Sequence, residues 1–113
     1  MDAATRSYLE NKMNEEISML PRHMHDAIRM YVLDRLEPGS FLMSVLCNDL
    51  KGSIARADHI NKSALPQYVE FCTWYLPSIC WGSEERVTAW LSRRDEEPEI
   101  PDAIVQEPGD DNI

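Results

Sequence analysis

Hydrophobic residues recur every three or four positions along most of the chain, with polar residues filling the intervals. This spacing places the apolar side chains on one face of an α-helix. Interruptions at prolines and glycines divide the pattern into five predicted helices, near residues 8–20, 21–35, 41–58, 64–76 and 84–94. No segment alternates convincingly between apolar and polar residues, as a half-buried β-strand would. We therefore expect an all-α fold, a compact bundle of about five short helices.

The apolar stripe of each predicted helix should form its buried face. In the longest helix, residues 41–58, that stripe comprises Leu42, Val45, Leu46, Leu50, Ile54 and Ala57. Ser40, Ser63 and Ser83 each lie at or just before the start of a predicted helix. A serine hydroxyl at that position accepts a hydrogen bond from a backbone N–H of the first turn, so these serines are expected to cap their helices.

The formal net charge of −9 is concentrated at one end of the chain. Residues 95–113 contain eight acidic residues and no Lys or Arg, whereas residues 1–94 contain twelve acidic and eleven basic residues. The acidic segment also has three prolines and few apolar residues, a composition typical of a chain that does not fold alone. We predict a helical domain over residues 1–94 and an acidic, disordered tail over residues 95–113.

The three cysteines, Cys47, Cys72 and Cys80, are an odd number and show no C-x-x-C spacing. A disulfide framework is therefore not expected, and reduced thiols in a cytoplasmic protein fit the pattern. Cys80 is the one cysteine outside a predicted helix, which makes it the candidate for a reactive thiol. Its apolar neighbours nevertheless favour the neutral thiol over the thiolate.

No motif of catalysis or of metal binding is found. His23 and His25 are two residues apart in a predicted helix, so their side chains point about 200° from each other and cannot easily share one ion. The chain lacks both the G-x-S-x-G turn of hydrolases and a glycine-rich phosphate loop. We expect no metal, no cofactor and no catalytic residues, and therefore not an enzyme.

Membranes and nucleic acids are not the expected partners. The sequence has neither an apolar run of membrane-spanning length nor a secretory signal. Arg22, Arg29 and Arg35 place basic groups on roughly one side of the second predicted helix, but Asp26 and Asp34 interrupt them. Three arginines would give only weak, salt-sensitive binding to nucleic acid.

The polar side of predicted helix 41–58 is the first candidate surface for a partner. Gly52 in its interior costs about 1 kcal/mol relative to alanine and allows close approach by a neighbouring helix or by a partner chain. Trp81 lies in a short linker, where a tryptophan either covers the edge of a core or anchors an interface. With the acids that follow Arg94, the candidate partner-binding residues are Asn48, Asp49, Gly52, Arg56, Trp81, Asp95, Glu96, Glu97 and Glu99.

Several short motifs also follow one another in a particular order. They are L-P at 20–21, P-G-S-F-L at 38–42, V-L-C-N-D-L at 45–50, R-A-D at 56–58 and W-G-S at 81–83. This order resembles a family of small accessory proteins encoded by bacteriophages and by prophages of proteobacteria. The resemblance extends from about residue 20 to residue 91, and the first helix and the acidic segment lie outside it.

The resemblance implies a phage or prophage origin, a location in the host cytoplasm and an accessory role. Small phage proteins of this kind commonly bind a host protein, and anti-CRISPR proteins are one such group. We therefore expect a protein-interaction module that modulates a host protein, in its sharpest form an anti-CRISPR or other anti-defence inhibitor. The acidic tail would suit a nucleic-acid-binding defence component, because carboxylates can occupy its basic channel. The alternatives are a self-associating phage structural or regulatory protein, which would form a homo-oligomer, and a nucleic-acid-binding regulator.

Overall fold

The structure is a computed structural model that describes residues 1–98, and its regular elements are all helical. This confirms the predicted all-α class. In the described residues the chain forms seven α-helices rather than five: α1 (Ala3–Asn14), α2 (His25–Asp34), α3 (Ser40–Leu46), α4 (Leu50–Arg56), α5 (His59–Ser63), α6 (Leu65–Tyr75) and α7 (Glu84–Ser92). Short 3-10 turns lie at Ile17–Met19, Arg22–Met24 and Ser78–Cys80.

All seven helices are short, and the longest, α1, has 12 residues. Among residues 1–98, no helix has both the length and the apolar content that crossing a bilayer requires.

One hydrophobic core is built from five of the helices and the segments that connect them. The stripe of the first predicted helix is buried as expected, although α1 ends at Asn14 and its last members belong to the turn after it: Leu9, Met13, Ile17 and Leu20. Tyr31, Tyr68 and Phe71 are the largest fully buried side chains of the cluster. Within residues 1–98, α4 and α5 contribute no buried apolar side chain to it. These two helices therefore lie at the periphery of the core.

Two buried tyrosines form hydrogen bonds that connect different helices and turns. The Tyr31 hydroxyl donates a hydrogen bond to the carbonyl of Cys80 at 2.6 Å, and the Trp90 indole N–H donates to the carbonyl of Tyr31 at 3.1 Å. The Tyr68 hydroxyl donates to the side-chain carbonyl of Asn61 at 2.6 Å. Because buried polar groups are costly when unpaired, these bonds fix how α2 meets α7 and how α5 meets α6.

The predicted long helix over residues 41–58 is wrong, because the chain breaks at Asn48. This residue has a φ of 63°, a left-handed conformation that ends α3, and asparagine tolerates it better than most residues do. Asp49 then starts α4 by accepting the N–H of Gly52 at 2.9 Å. Asp58 starts α5 in the same way, with the N–H of Asn61 at 2.7 Å.

The break also changes which apolar residues are buried. Leu42, Val45 and Leu46 of α3 lie in the core, as the predicted stripe requires. Leu50 and Ile54 of α4 do not, since they are 68% and 44% exposed. The prediction that both face the core is therefore wrong.

The predicted serine caps have mixed outcomes. Ser83 caps α7 as expected, because its hydroxyl accepts the N–H of Arg86 at 3.2 Å. Ser40 is the first residue of α3 and makes no capping bond, and Ser63 ends α5 rather than starting α6. At both positions the neighbouring helix begins one residue away from where the sequence pattern places it.

Candidate functional site

The junction between α3 and α4 brings together four of the predicted partner-binding residues: Asn48, Asp49, Gly52 and Arg56. A surface cavity of about 460 Å³ opens there. Its walls come from α3, from the junction, from Arg56 of α4 and from Glu84 of α7. The sequence pattern placed these four residues on one continuous helix, whereas Asn48 and Asp49 lie in the break between α3 and α4 and the other two lie in α4.

An ion pair between Asp49, which caps α4, and Arg56 covers Gly52. The Asp49 carboxylate caps the helix, and its second oxygen lies 3.7 Å from Nη1 of Arg56. A Cβ atom on residue 52 would overlap both that carboxylate and the guanidinium. Gly52 is therefore covered by side chains of its own helix, and neither a neighbouring helix nor a partner chain is needed to account for it.

Asp49 and Arg56 also connect α4 to α3 through hydrogen bonds to Ser44. Arg56 Nη1 donates to the hydroxyl of Ser44 at 3.0 Å, and the backbone N–H of Asp49 donates to the carbonyl of Ser44 at 2.8 Å. The side chains of Asp49 and Arg56 are nevertheless 51% and 48% exposed. An ion pair so exposed stabilises the fold by only about 0–1 kcal/mol, so both groups can re-pair with charges of another molecule at little cost.

Leu50 and Ile54 are functional candidates that the sequence pattern missed. They are four residues apart on α4, which places both on the same face of the helix, outside the core. A signal for this was present in the sequence, since Asn48 favours the left-handed conformation and Asp49 favours a helix start. A helix break at these two residues means that Leu50 and Ile54 no longer continue the buried stripe of α3.

Cys47 lies in the cavity wall, and it is the accessible thiol. It is half-buried, whereas Cys72 and Cys80 are fully buried, so the prediction of Cys80 as the reactive thiol is wrong. Burial, together with the negative charges of Glu84 and Asp49, raises the pKa of the Cys47 thiol above its ordinary value. Cys47 is therefore a neutral thiol at pH 7 and a weak nucleophile.

Trp81 lies on the chain segment that crosses the end of α3. The N–H of Gly82 donates to the carbonyl of Leu46 at 2.7 Å, and Gly82 has a φ of 109°, which favours glycine. Arg86 holds the segment from the other side by donating to the carbonyl of Trp81 at 3.3 Å. The Trp81 side chain packs against the core and stays partly exposed, so it covers an edge of the core close to the α3 end.

The acidic candidates lie beyond α7. Asp95, Glu96 and Glu97 are exposed, and Glu97 accepts the backbone N–H of Asp2 at 2.8 Å. Glu96 and Glu97 also line a second cavity, which contains Arg35. Glu99 lies outside the described residues, as does most of the segment 95–113, so the predicted domain boundary and the disordered tail stay predictions.

The histidines have separate partners. His23 Nε2 lies 3.4 Å from a carboxylate oxygen of Asp58, and His25 Nε2 lies 2.9 Å from the carbonyl of Leu20. In the part of the chain that the structure describes, no group of three or more His, Cys, Asp or Glu side chains is placed to hold a metal ion.

Arg35 does not belong to the basic side predicted for the second helix. It is 3% exposed, so its guanidinium points into the protein and cannot join Arg22 and Arg29 on the surface. Arg29 itself donates to the side-chain carbonyl of Asn14 at 2.8 Å. The arrangement that favoured nucleic-acid binding thus loses one of its three arginines.

Comparison of the chain with known protein families, with curated proteins and with solved structures gives no match. The resemblance to phage accessory proteins therefore stays a prediction from the motifs in the sequence. What the protein binds has to be inferred from the geometry of its surface.

Proposed function

We propose that the protein is an interaction module that binds another protein through α4. The binding surface consists of Asn48, Asp49, Leu50, Ile54 and Arg56 and is called the α4 surface below. The observation that carries the proposal is the outward orientation of the only two large apolar side chains of α4, of which Leu50 is 68% exposed. A helix whose apolar residues face away from its own core gains stability when another molecule covers them.

The chemistry of the α4 surface suits a protein partner. Complete burial of Leu50 or Ile54 supplies about 1.5–3 kcal/mol each, less the part that is already covered. Asp49 and Arg56 flank them with one charge of each sign, which favours a partner with the complementary arrangement and disfavours others. Apolar anchors beside half-exposed charges are the usual composition of a protein interface.

We further propose that the partner is a host protein and that the protein is phage-derived. Its function would then be anti-defence activity, anti-CRISPR inhibition in particular. The order of motifs at residues 38–42, 45–50, 56–58 and 81–83 supports a phage origin and action in the host cytoplasm. Eight acidic residues in segment 95–113 support a target with a basic nucleic-acid channel, because their charge attracts such a surface over about a Debye length.

A pair of matched variants tests the α4 surface. Leu50→Ala/Ile54→Ala removes two side chains that are 68% and 44% exposed, and Ile60→Ala/Val69→Ala removes two outside α4 that are 60% and 47% exposed. In pull-downs from host lysate with mass spectrometry, the parent protein and the Ile60/Val69 variant should capture the same partner. The Leu50/Ile54 variant should lose it by about tenfold or more, which corresponds to 1.4 kcal/mol. Equal capture by both variants, or capture of nothing specific, would reject the α4 surface.

Cys47 provides a second measurement on the same complex. It lies in the cavity beside Asp49 and Arg56, so a bound partner should slow its alkylation. Unchanged alkylation in a saturated complex would place the partner elsewhere on the molecule.

The anti-defence function has its own test. In a host with an active CRISPR system, expression of the parent protein should restore plating of a targeted phage, and the Leu50/Ile54 variant should not. If neither protein changes plating while the pull-down partner is still captured, the interaction module stands and the anti-defence function does not.

Self-association is the second candidate, because a second copy could cover Leu50 and Ile54 equally well. Size-exclusion chromatography with light scattering distinguishes the two. A dimer that the Leu50/Ile54 substitutions convert to a monomer would favour the homo-oligomer, and a monomeric parent protein would exclude it.

A further inference from the structure

A second cavity, of about 400 Å³, lies at the C-terminal end of α7 and shares no lining residue with the cavity at the α3–α4 junction. Its walls combine apolar surface with two basic and two acidic side chains: Ile79, Trp90, Arg35, Arg93, Glu96 and Glu97. The cavity is thus separate from the α4 surface, and what it binds does not depend on the function proposed above.

Arg35 lines this cavity, and one nitrogen of its buried guanidinium, Nη2, has no hydrogen-bond partner among residues 1–98. The residue is 3% exposed, its Nη1 donates to the carbonyl of Arg93, and its guanidinium carbon lies 4.0 Å from the centre of the Trp90 ring. Nη2 is also buried, and among residues 1–98 it has no hydrogen-bond acceptor. Buried donors without partners are rare, and those of a charged group are the most costly, so this one needs an explanation.

Arg35 also has an unusual backbone conformation. Its φ of 55° is left-handed and ends α2, a position where glycine or asparagine is usual. Arginine occupies this position with an unfavourable backbone conformation, a buried charge and an Nη2 group that has no acceptor among residues 1–98. A requirement for the guanidinium itself accounts for all three, because strain of this kind is concentrated at functional sites.

We propose that this cavity is a binding site for a carboxylate with an apolar body, which accepts a hydrogen bond from Nη2 of Arg35. The planar guanidinium matches the geometry of a carboxylate, and Trp90 and Ile79 supply an apolar wall for the rest of the ligand. Glu96 and Glu97 disfavour a phosphate, since its larger negative charge would meet theirs. Among anions, a ligand with a single negative charge is therefore opposed least by these two carboxylates.

Benzoate and benzamide provide a matched pair of probes, because they share the ring and differ in charge. The readout is the indole N–H signal of Trp90 in the NMR spectrum of the full chain, assigned with Trp90→Phe, at constant ionic strength. Benzoate should shift this signal with saturation, and benzamide should bind about tenfold or more weakly. Equal binding of the two, or no shift with either, would overturn the proposal and leave Nη2 to a water molecule.

Two kinds of substitution identify the residues involved. Arg35→Lys keeps the charge but loses the planar donor pair, and it should weaken benzoate binding by about tenfold. Because Arg35 is buried, circular dichroism of this variant first establishes that it is folded. Glu96→Gln and Glu97→Gln lie at exposed positions, and each should tighten benzoate binding by removing a negative charge. Unchanged affinity in both glutamine variants would contradict the assignment to this cavity.

The carboxylate can come from a free molecule or from the chain itself, since Pro98 lines the cavity and residues 99–113 contain five further acids. A full-length variant with those acids replaced by Asn or Gln separates the two sources. Tighter benzoate binding in that variant would show that the chain's own carboxylates compete for Arg35, because a tethered group has an effective concentration in the millimolar range. Equal binding in both proteins would assign the site to a free ligand.

Discussion

Gly52 illustrates how a single residue can depend on side chains of its own helix. Replacing a helical glycine by alanine usually stabilises a protein by about 1 kcal/mol. Here the added Cβ would displace the Asp49 carboxylate, which caps the helix, and the Arg56 guanidinium. Loss of the cap costs about 1 kcal/mol and loss of the exposed ion pair about 0–1 kcal/mol. We expect Gly52→Ala to leave the free energy of unfolding unchanged or to lower it by about 1 kcal/mol, as measured by urea denaturation.

The control for this prediction is the same substitution in a protein that carries Asp49→Ala. There the cap is already lost, so Gly52→Ala should raise the free energy of unfolding by about 1 kcal/mol. A stabilisation of equal size in both backgrounds would mean that Asp49 does not cover Gly52.

The cysteines differ in a way that thiol chemistry can measure. Cys47 should be the only one to react with a disulfide reagent in the native protein, with Cys72 and Cys80 reacting after denaturation. Its reaction should be slower than that of a free cysteine at pH 7.5. The rate should still be increasing with pH above 9.0, because the pKa of Cys47 is raised from that value. Glu84→Gln removes a negative charge that opposes the thiolate and should speed the reaction by about threefold. A rate that is unaffected by Glu84→Gln would mean that this charge does not act on Cys47.

At the scale of the helices, the sequence predicted interiors better than ends. The period of the apolar residues identified the buried faces of α1 and α3, since that period follows directly from helix geometry. Where a helix begins or ends depends on one or two residues, whose side chains or backbone conformation pair with the free N–H and C=O groups of the terminal turn. Asn48 and Asp49 interrupt a run of residues that would otherwise continue as one helix, and the period alone does not detect them. The resulting error moved Leu50 and Ile54 into the core.

The break between α3 and α4 can be tested at Asn48, which is exposed, so that packing contributes little. A β-branched residue is strongly disfavoured at a φ of 63°, and Asn48→Val should lower the free energy of unfolding by about 1–2 kcal/mol. Asn48→Gly fits the same conformation and should change it by less than about 0.5 kcal/mol. Urea denaturation of the two variants side by side gives the comparison. If valine were tolerated as well as glycine, the left-handed conformation would not be what separates the two helices.

For the whole molecule, features that join distant parts of the chain were the least predictable. The cavity near α7 depends on Arg35 and Arg93, which are 58 residues apart, and no local pattern brings them together. The candidate interaction site was easier, because Asn48, Asp49, Gly52 and Arg56 lie within nine residues and one stretch of sequence holds them. The sequence pattern therefore indicated the polar residues of this candidate site but not Glu84, which α7 supplies through tertiary packing.

The core as a whole contains weak acids that folding keeps neutral, and this predicts how stability depends on pH. Burial raises the pKa of Cys72 from 9.0 to about 12, and it raises the pKa of Tyr68 and Tyr31 above their ordinary value of 10.0. Above these ordinary values the unfolded chain loses protons that the folded protein retains. The free energy of unfolding should therefore be constant below about pH 9 as far as these groups are concerned. It should then fall as the pH rises, by about 1.4 kcal/mol per pH unit for each group.

Two variants assign this alkaline loss to individual residues, because their ordinary pKa values differ. Cys72→Ala should make the decline shallower from pH 9.0 upward, and Tyr68→Phe should do so only above pH 10.0. Both start from a lower stability at neutral pH. The first leaves a small cavity, and the second leaves the buried side-chain carbonyl of Asn61 without its donor, at a cost of about 1–2 kcal/mol. Urea denaturation between pH 7 and pH 11 separates this constant cost from the change in slope. If both variants kept the slope of the parent protein, the buried thiol and phenol would not be the groups that the folded core holds neutral.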